Sequence, residues 1–224
     1  GRVNPLRGSI FELESAFDSY YHAFTVSLDR RFNNSFSLLT HYTFSKAIDN
    51  TVDFFPLFQE IANPLRPDLE RGLSIQDVRS RLVSTGVWDL NYSKNVFLRN
   101  FRLSTIVSLN SGRPYNLLAG VDLDRSGDTP PRDRPAFLGR NVGITPGFAT
   151  VDLRLTRNFS VKETYRIQAF IEGFNLFNRV NIDPNQINRV FLPVRRTRSF
   201  MLPPANFRGA FPARQIQLGL RLSF

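Results

Sequence analysis

Few residues in this chain are of types able to do chemistry, and the most ordered group among them is acidic. Asp122, Asp124, Ser126 and Asp128 surround Gly127, and Asp133 stands at the twelfth position of the same run. Oxygen ligands at alternate positions around a glycine turn can wrap one hard cation, which makes the stretch a candidate calcium loop. Its last ligand position holds Asp rather than the longer bidentate Glu, and Pro130-Pro131 stands where an exiting helix would start. A solvated acidic turn is the competing expectation. Arg195, Arg196 and Arg198, with Arg189 and Arg208 nearby, form a basic cluster that could meet lipopolysaccharide phosphates or an anionic ligand. A basic loop that is simply solvated is the alternative. Catalytic patterns are lacking: there is no Cys, His occurs only as His22 and His41, and neither an H-E-x-x-H nor a G-x-S-x-G arrangement occurs. No enzymatic activity is expected, and no cofactor other than the calcium of residues 122–133.

The charge balance is +10, with 29 basic residues against 19 acidic ones. Phosphate binding needs such a balance, but no continuous basic run and no helix-turn-helix, zinc-finger or RRM pattern accompanies it. Nucleic acid is therefore not an expected partner. The basic residues lie at segment ends and in connections, which suits anionic lipid headgroups. No run approaches the ~20 apolar residues that a membrane-spanning helix requires. Gly1-Arg2-Val3-Asn4-Pro5 lacks the apolar stretch of a signal peptide.

What must position these residues is a set of strands, because the hydrophobic period is two almost everywhere. Phe24, Val26 and Leu28 alternate with Thr25, Ser27 and Asp29 within Tyr20–Phe32. Further alternating runs cover Phe36–Ser45, Arg81–Tyr92, Phe97–Ser111, Phe148–Phe159, Tyr165–Phe174 and Gln215–Phe224, with a weaker one at Ser9–Ala16. The connections alternate too. Short turns stand at Asn33–Ser35, Ser93–Asn95 and Ser160–Glu163, whereas Ala47–Ser80, Gly112–Gly147 and Phe177–Ala213 are long and rich in Pro, Asp, Asn and Arg. Loops of that length are uncommon in compact soluble domains, and tight turns on one side with long loops on the other characterise outer-membrane barrels.

The fold class expected is therefore all-β: an antiparallel transmembrane β-barrel segment of about eight meandering strands, with short periplasmic turns and long extracellular loops. Aromatic residues near run ends, among them Tyr20, Trp88, Phe101, Phe159 and Tyr165, suit the interfacial belts of such a barrel. Asp152, Arg154, Arg166 and Glu172 would then point into the lumen and form ion pairs. A small independent barrel, adhesin-like or porin-like, and a soluble β-sandwich binding module are the alternatives.

Specific segments carry a resemblance. Tyr42–Asn50 (YTFSKAIDN), Ser111–Tyr115 (SGRPY), Asp133–Pro135, Gly139–Asn141, Thr145–Phe148, Phe174–Asn178 (FNLFN) and Arg214–Phe224 follow one another in an order similar to that of TonB-dependent outer-membrane receptors, especially the Oar-like group. The resemblance covers roughly residues 20–224 and implies the C-terminal barrel portion of such a receptor, serving energised uptake across the outer membrane of a Gram-negative bacterium. Family members resemble one another in a barrel of about 22 strands with a plug inside. About eight strands cannot enclose such a lumen, so residues 1–224 are expected to form part of a barrel, without plug or signal peptide. The resemblance implies outer-membrane lipid and lipopolysaccharide as surroundings, and contact with TonB only through an N-terminal part outside this sequence. It also implies that Ile216, Leu218, Leu220, Leu222 and Phe224 form the C-terminal signal read by the barrel-assembly machinery.

Overall fold

A computed structural model describes residues 17–32, 35–50, 66–90, 99–123, 125, 133–135, 137–161, 165–185, 187–188 and 206–223. The strands are β1 (Ser19–Phe32), β2 (Phe36–Asp49), β3 (Gly72–Leu73), β4 (Ser80–Leu90), β5 (Phe101–Asn110), β6 (Pro114–Tyr115), β7 (Gly143–Ile144), β8 (Phe148–Val161), β9 (Tyr165–Phe174), β10 (Ile187–Asn188), β11 (Asn206–Phe207) and β12 (Gln215–Ser223). The long ones form one antiparallel meander in the order β1-β2-β4-β5-β8-β9-β12. Each holds 9 to 14 residues. About 9–11 residues suffice to cross a bilayer at the usual tilt. The weak run at Ser9–Ala16 lies outside the described residues, as do Phe224 and most of the short-turn residues.

Register turns the alternation into two faces. Phe36 pairs with Trp88, Trp88 with Leu103, Leu103 with Leu155, Leu155 with Ile171, and Ile171 with Leu218. Paired residues project to the same side, so a continuous apolar row crosses six strands. One residue along, the row reads Ser37, Val87, Ser104, Arg154, Glu172 and Gln217. A slip of one position in any pair would break both rows. The soluble alternative needs a second layer over the apolar face, and none is present among the described residues. Phe24, Phe44, Ile216 and Leu218 are instead 67%, 49%, 67% and 75% exposed. A large uncovered apolar face is what lipid solvates.

Aromatic residues stand on that face toward both ends, Tyr20, Tyr42 and Phe44 near the long loops and others near the short turns. Phe36 and Trp88 meet edge to face with centroids 6.4 Å apart. The Arg157 guanidinium lies 5.0 Å from the Phe101 ring and 4.5 Å from the Phe159 ring. Such a cluster suits an interfacial girdle, with a cation able to meet lipid headgroups. On the polar face Arg154 and Glu172 are cross-strand partners at 4.0 Å, as expected. Arg154 also stacks on Phe170 at 3.9 Å, and Phe170 lies over Gly219 so closely that a Cβ there would sit 2.2 Å from the ring.

Several boundaries differ from expectation: β4 starts at Ser80, β5 starts at Phe101 and β8 runs on to Val161. The loop expected from Ala47 starts later, because Ile48 and Asp49 pair with Leu73 and Gly72 and so continue β2. If the two faces meet lipid and lumen, Leu155→Arg should cost roughly 2–4 kcal/mol near the bilayer midplane, whereas Ser104→Arg on the polar face should be tolerated. Heat-modifiable gel migration of the intact protein reads both; equal loss of the folded band in the two variants would contradict the assignment.

Candidate functional site: the folded base of the long loops

The long connections gather at one end of the sheet, where they form the buried part of the molecule. Beside Ala119, its deepest residues are polar: Glu70 and Asn116 are 0% exposed, and Asn141 and Asn181 are 1%. Burying such groups is costly unless each finds partners, so the base is held by named pairs.

The first loop folds back on the end of β2. Ser45 Oγ donates to Val78 O at 2.9 Å, and Ala47 N donates to Asp77 Oδ1 at 2.6 Å. Ser74 N donates to Ala47 O at 3.0 Å. A 3-10 turn at Pro67–Glu70 then delivers Glu70 inward. Beside it, outside the base, the Arg66 guanidinium hydrogen-bonds Asp68 and holds that carboxyl below its ordinary range.

The second loop locks onto the first. Arg134 Nη2 meets Glu70 Oε1 at 2.6 Å, with both side chains buried. Arg140 pairs with the Asp49 carboxylate and donates to Asp49 O at 2.7 Å and Glu70 O at 3.1 Å. Asn141 adopts a positive φ of 55°, a conformation Asn tolerates better than most residues. From there its Nδ2 donates to Leu73 O at 2.6 Å, and its backbone N donates to Asn116 Oδ1 at 2.7 Å. Thr145 closes the neck by exchanging bonds with the Arg113 backbone, and Gly112 passes where any Cβ would strike Thr145 O. Tyr115 lies over Gly143, and burial pushes its phenol up.

The third loop uses asparagines as backbone substitutes. Asn181 Oδ1 accepts from Ala149 N at 2.8 Å while its Nδ2 donates to Ala149 O at 2.9 Å, the pairing a neighbouring strand would make. Asn175, at φ 47°, donates its backbone N–H to Asp152 Oδ1 at 2.8 Å and links by side chain to Arg179. Beneath this loop a cleft of about 630 Å³ opens on the polar face.

The segments quoted for the resemblance thus converge. Asp49 pairs with Arg140, Arg113 exchanges bonds with Thr145, and Arg214 N donates to Asn178 Oδ1, while Arg134 reaches Glu70 outside those segments. Of the candidate calcium residues, Asp133 accepts from Leu123 N and its carbonyl accepts from Ala119 N at 2.7 Å. Asp122 is described; Asp124, Ser126 and Asp128 lie outside the described residues, as do Arg195, Arg196 and Arg198. The strand residues Ile216, Leu218, Leu220 and Leu222 share the exposed apolar face. His41 Nδ1 lies 2.8 Å from Ser27 Oγ. Sequence reasoning missed Glu70, Asn116 and Asn181, since an isolated polar residue in a Pro- and Asn-rich loop carries no sign of burial.

A family model described as outer membrane beta barrel domain matches residues 1–139. No curated protein and no solved structure matches the chain.

Removing one member of a buried ion pair leaves the other uncompensated, at roughly 3–5 kcal/mol. Glu70→Ala is therefore expected to speed amide exchange at Ser74 and Asn141 by about two to four orders of magnitude. The strands should keep their protection. Unchanged exchange at both loop amides would show that the ion pair does not hold the base.

Proposed function

The chain belongs to the outer membrane beta barrel domain family and resides in the outer membrane of a Gram-negative bacterium, and from this premise we propose that it forms the C-terminal barrel wall of a TonB-dependent receptor of the Oar-like group. In this reading residues 1–224 contribute strands to a larger barrel, and the intact protein performs energised uptake. Its short turns face the periplasm and its long loops face outward. The ligand is taken from outside by the loops, and a plug outside this sequence gates the lumen.

One observation carries the reading. The ordered segments that resemble the family come together at the loop end, where Asp49–Arg140 and Glu70–Arg134 tie two loops into one body. Such a base suits a receptor, because loops that capture a ligand gain affinity from being held in place beforehand.

Two measurements on the intact protein test this. It should be retained by the purified periplasmic domain of TonB, and it should show no steady conductance in a planar bilayer. A steadily open channel together with no retention by TonB would favour the porin-like alternative and contradict the proposal.

A further inference from the structure

The cleft beneath the third loop has a lining whose chemistry narrows the ligand. Four strand ends supply its floor through polar-face residues, including Phe148, Asp152, Phe174 and Gln215, while the loops add Arg113 and Phe211. Its volume of about 630 Å³ falls within the ~300–1,000 Å³ of small-molecule sites.

Some lining groups are used up by the fold. Asn181 is bound to Ala149, and Asn175 to Arg179. Others are not. The side chains of Arg113 and Gln215 make no hydrogen bond or ion pair with another described residue, and of the Asp152 carboxylate only Oδ1 accepts a bond, from Asn175 N. Phe211 stands edge to face on Phe148 with centroids 5.5 Å apart, yet remains 44% exposed.

We infer that this cleft binds the terminal one or two rings of an uncharged glycan, an inference that rests on the uptake reading above. Arg113 needs an acceptor, Asp152 needs a donor, and the Gln215 amide offers one of each. Every sugar hydroxyl is both donor and acceptor, so a sugar carries groups that match all three. The C–H face of the same ring packs against Phe211 and Phe148. The charges of Arg113 and Asp152 cancel, which gives a neutral ligand the advantage. A ferric chelate or a phosphate presents anionic acceptors, and the Asp152 carboxylate opposes these. An extended peptide binds best by adding to a free strand edge. Of the strands that reach the cleft, β5, β8 and β9 are each paired on both sides, while β12 keeps one edge open among the described residues, so trialanine serves as a counter-probe.

Isothermal titration of the intact protein in detergent tests the inference, with maltotetraose, cellotetraose, xylotetraose and chitotetraose as probes and ferric citrate and trialanine as counter-probes. At least one tetrasaccharide should bind, and Phe211→Ala should weaken it by about tenfold or more. Gln215→Ala, which removes a side chain without a partner among the described residues, should weaken it in the same direction and serves if Phe211→Ala fails to fold. No binding of any tetrasaccharide, or sugar binding unchanged in both variants, overturns the inference. Ferric citrate or trialanine binding that is lost in Phe211→Ala overturns the glycan class while leaving the uptake reading intact. That reading stands or falls separately on TonB retention.

Discussion

Lipid offers no hydrogen bonds, so every backbone N–H and C=O of a spanning segment must find its partner within the protein. In this chain the partners are neighbouring strands, and that requirement determines the rest. Pairing fixes register, and register decides which side chains share a face. The apolar row from Phe36 to Leu218 exists because six strands keep step. Where a side chain needs extra room, a neighbour yields it: Gly219 has no Cβ, and Phe170 occupies that space beneath Arg154.

The same constraint inverts the usual layout of a core. Most of the large hydrophobic residues of the strands lie on an exposed face, and the tightly enclosed part of the molecule is the polar base of the loops. Glu70, Asn116, Asn141 and Asn181 are buried there. Ion pairs under such enclosure add little net stability over apolar packing, but they are strict about geometry, because a misplaced partner leaves a charge uncompensated. Arg140 shows the consequence. By binding the end of β2 and the carbonyl of Glu70 together, it sets the second loop relative to both the sheet and the first loop. Loops held in this way can frame a cleft of defined shape.

The strands were legible in the sequence because lipid on one side and water on the other impose a period of two. The run expected over Tyr165–Phe174 matches β9, and that expected over Phe97–Ser111 contains β5 at Phe101–Asn110. The inward placement of Arg154 and Glu172 followed from the same period. The loop base was not legible. Two-residue strands such as Gly72–Leu73 and Pro114–Tyr115 are too short to show any period. Partners such as Glu70 and Arg134 stand 64 positions apart, with nothing between them to announce the pairing. The cleft draws its lining from four strand ends and three loops, so only the folded register brings Arg113, Asp152 and Phe211 together.

Because the sequence has no Cys, single cysteines can be introduced one at a time along β8, from Phe148 to Val161, each carrying a fluorescent label. Quenching by a lipid-bound reagent and by a water-soluble one then measures the surroundings of every position in the folded protein in bilayers. The account predicts opposite two-residue alternation: labels at 151, 153 and 155 quenched from lipid, and labels at 152, 154 and 156 quenched from water. Uniform access from water along the strand, or alternation in the opposite phase, would contradict it.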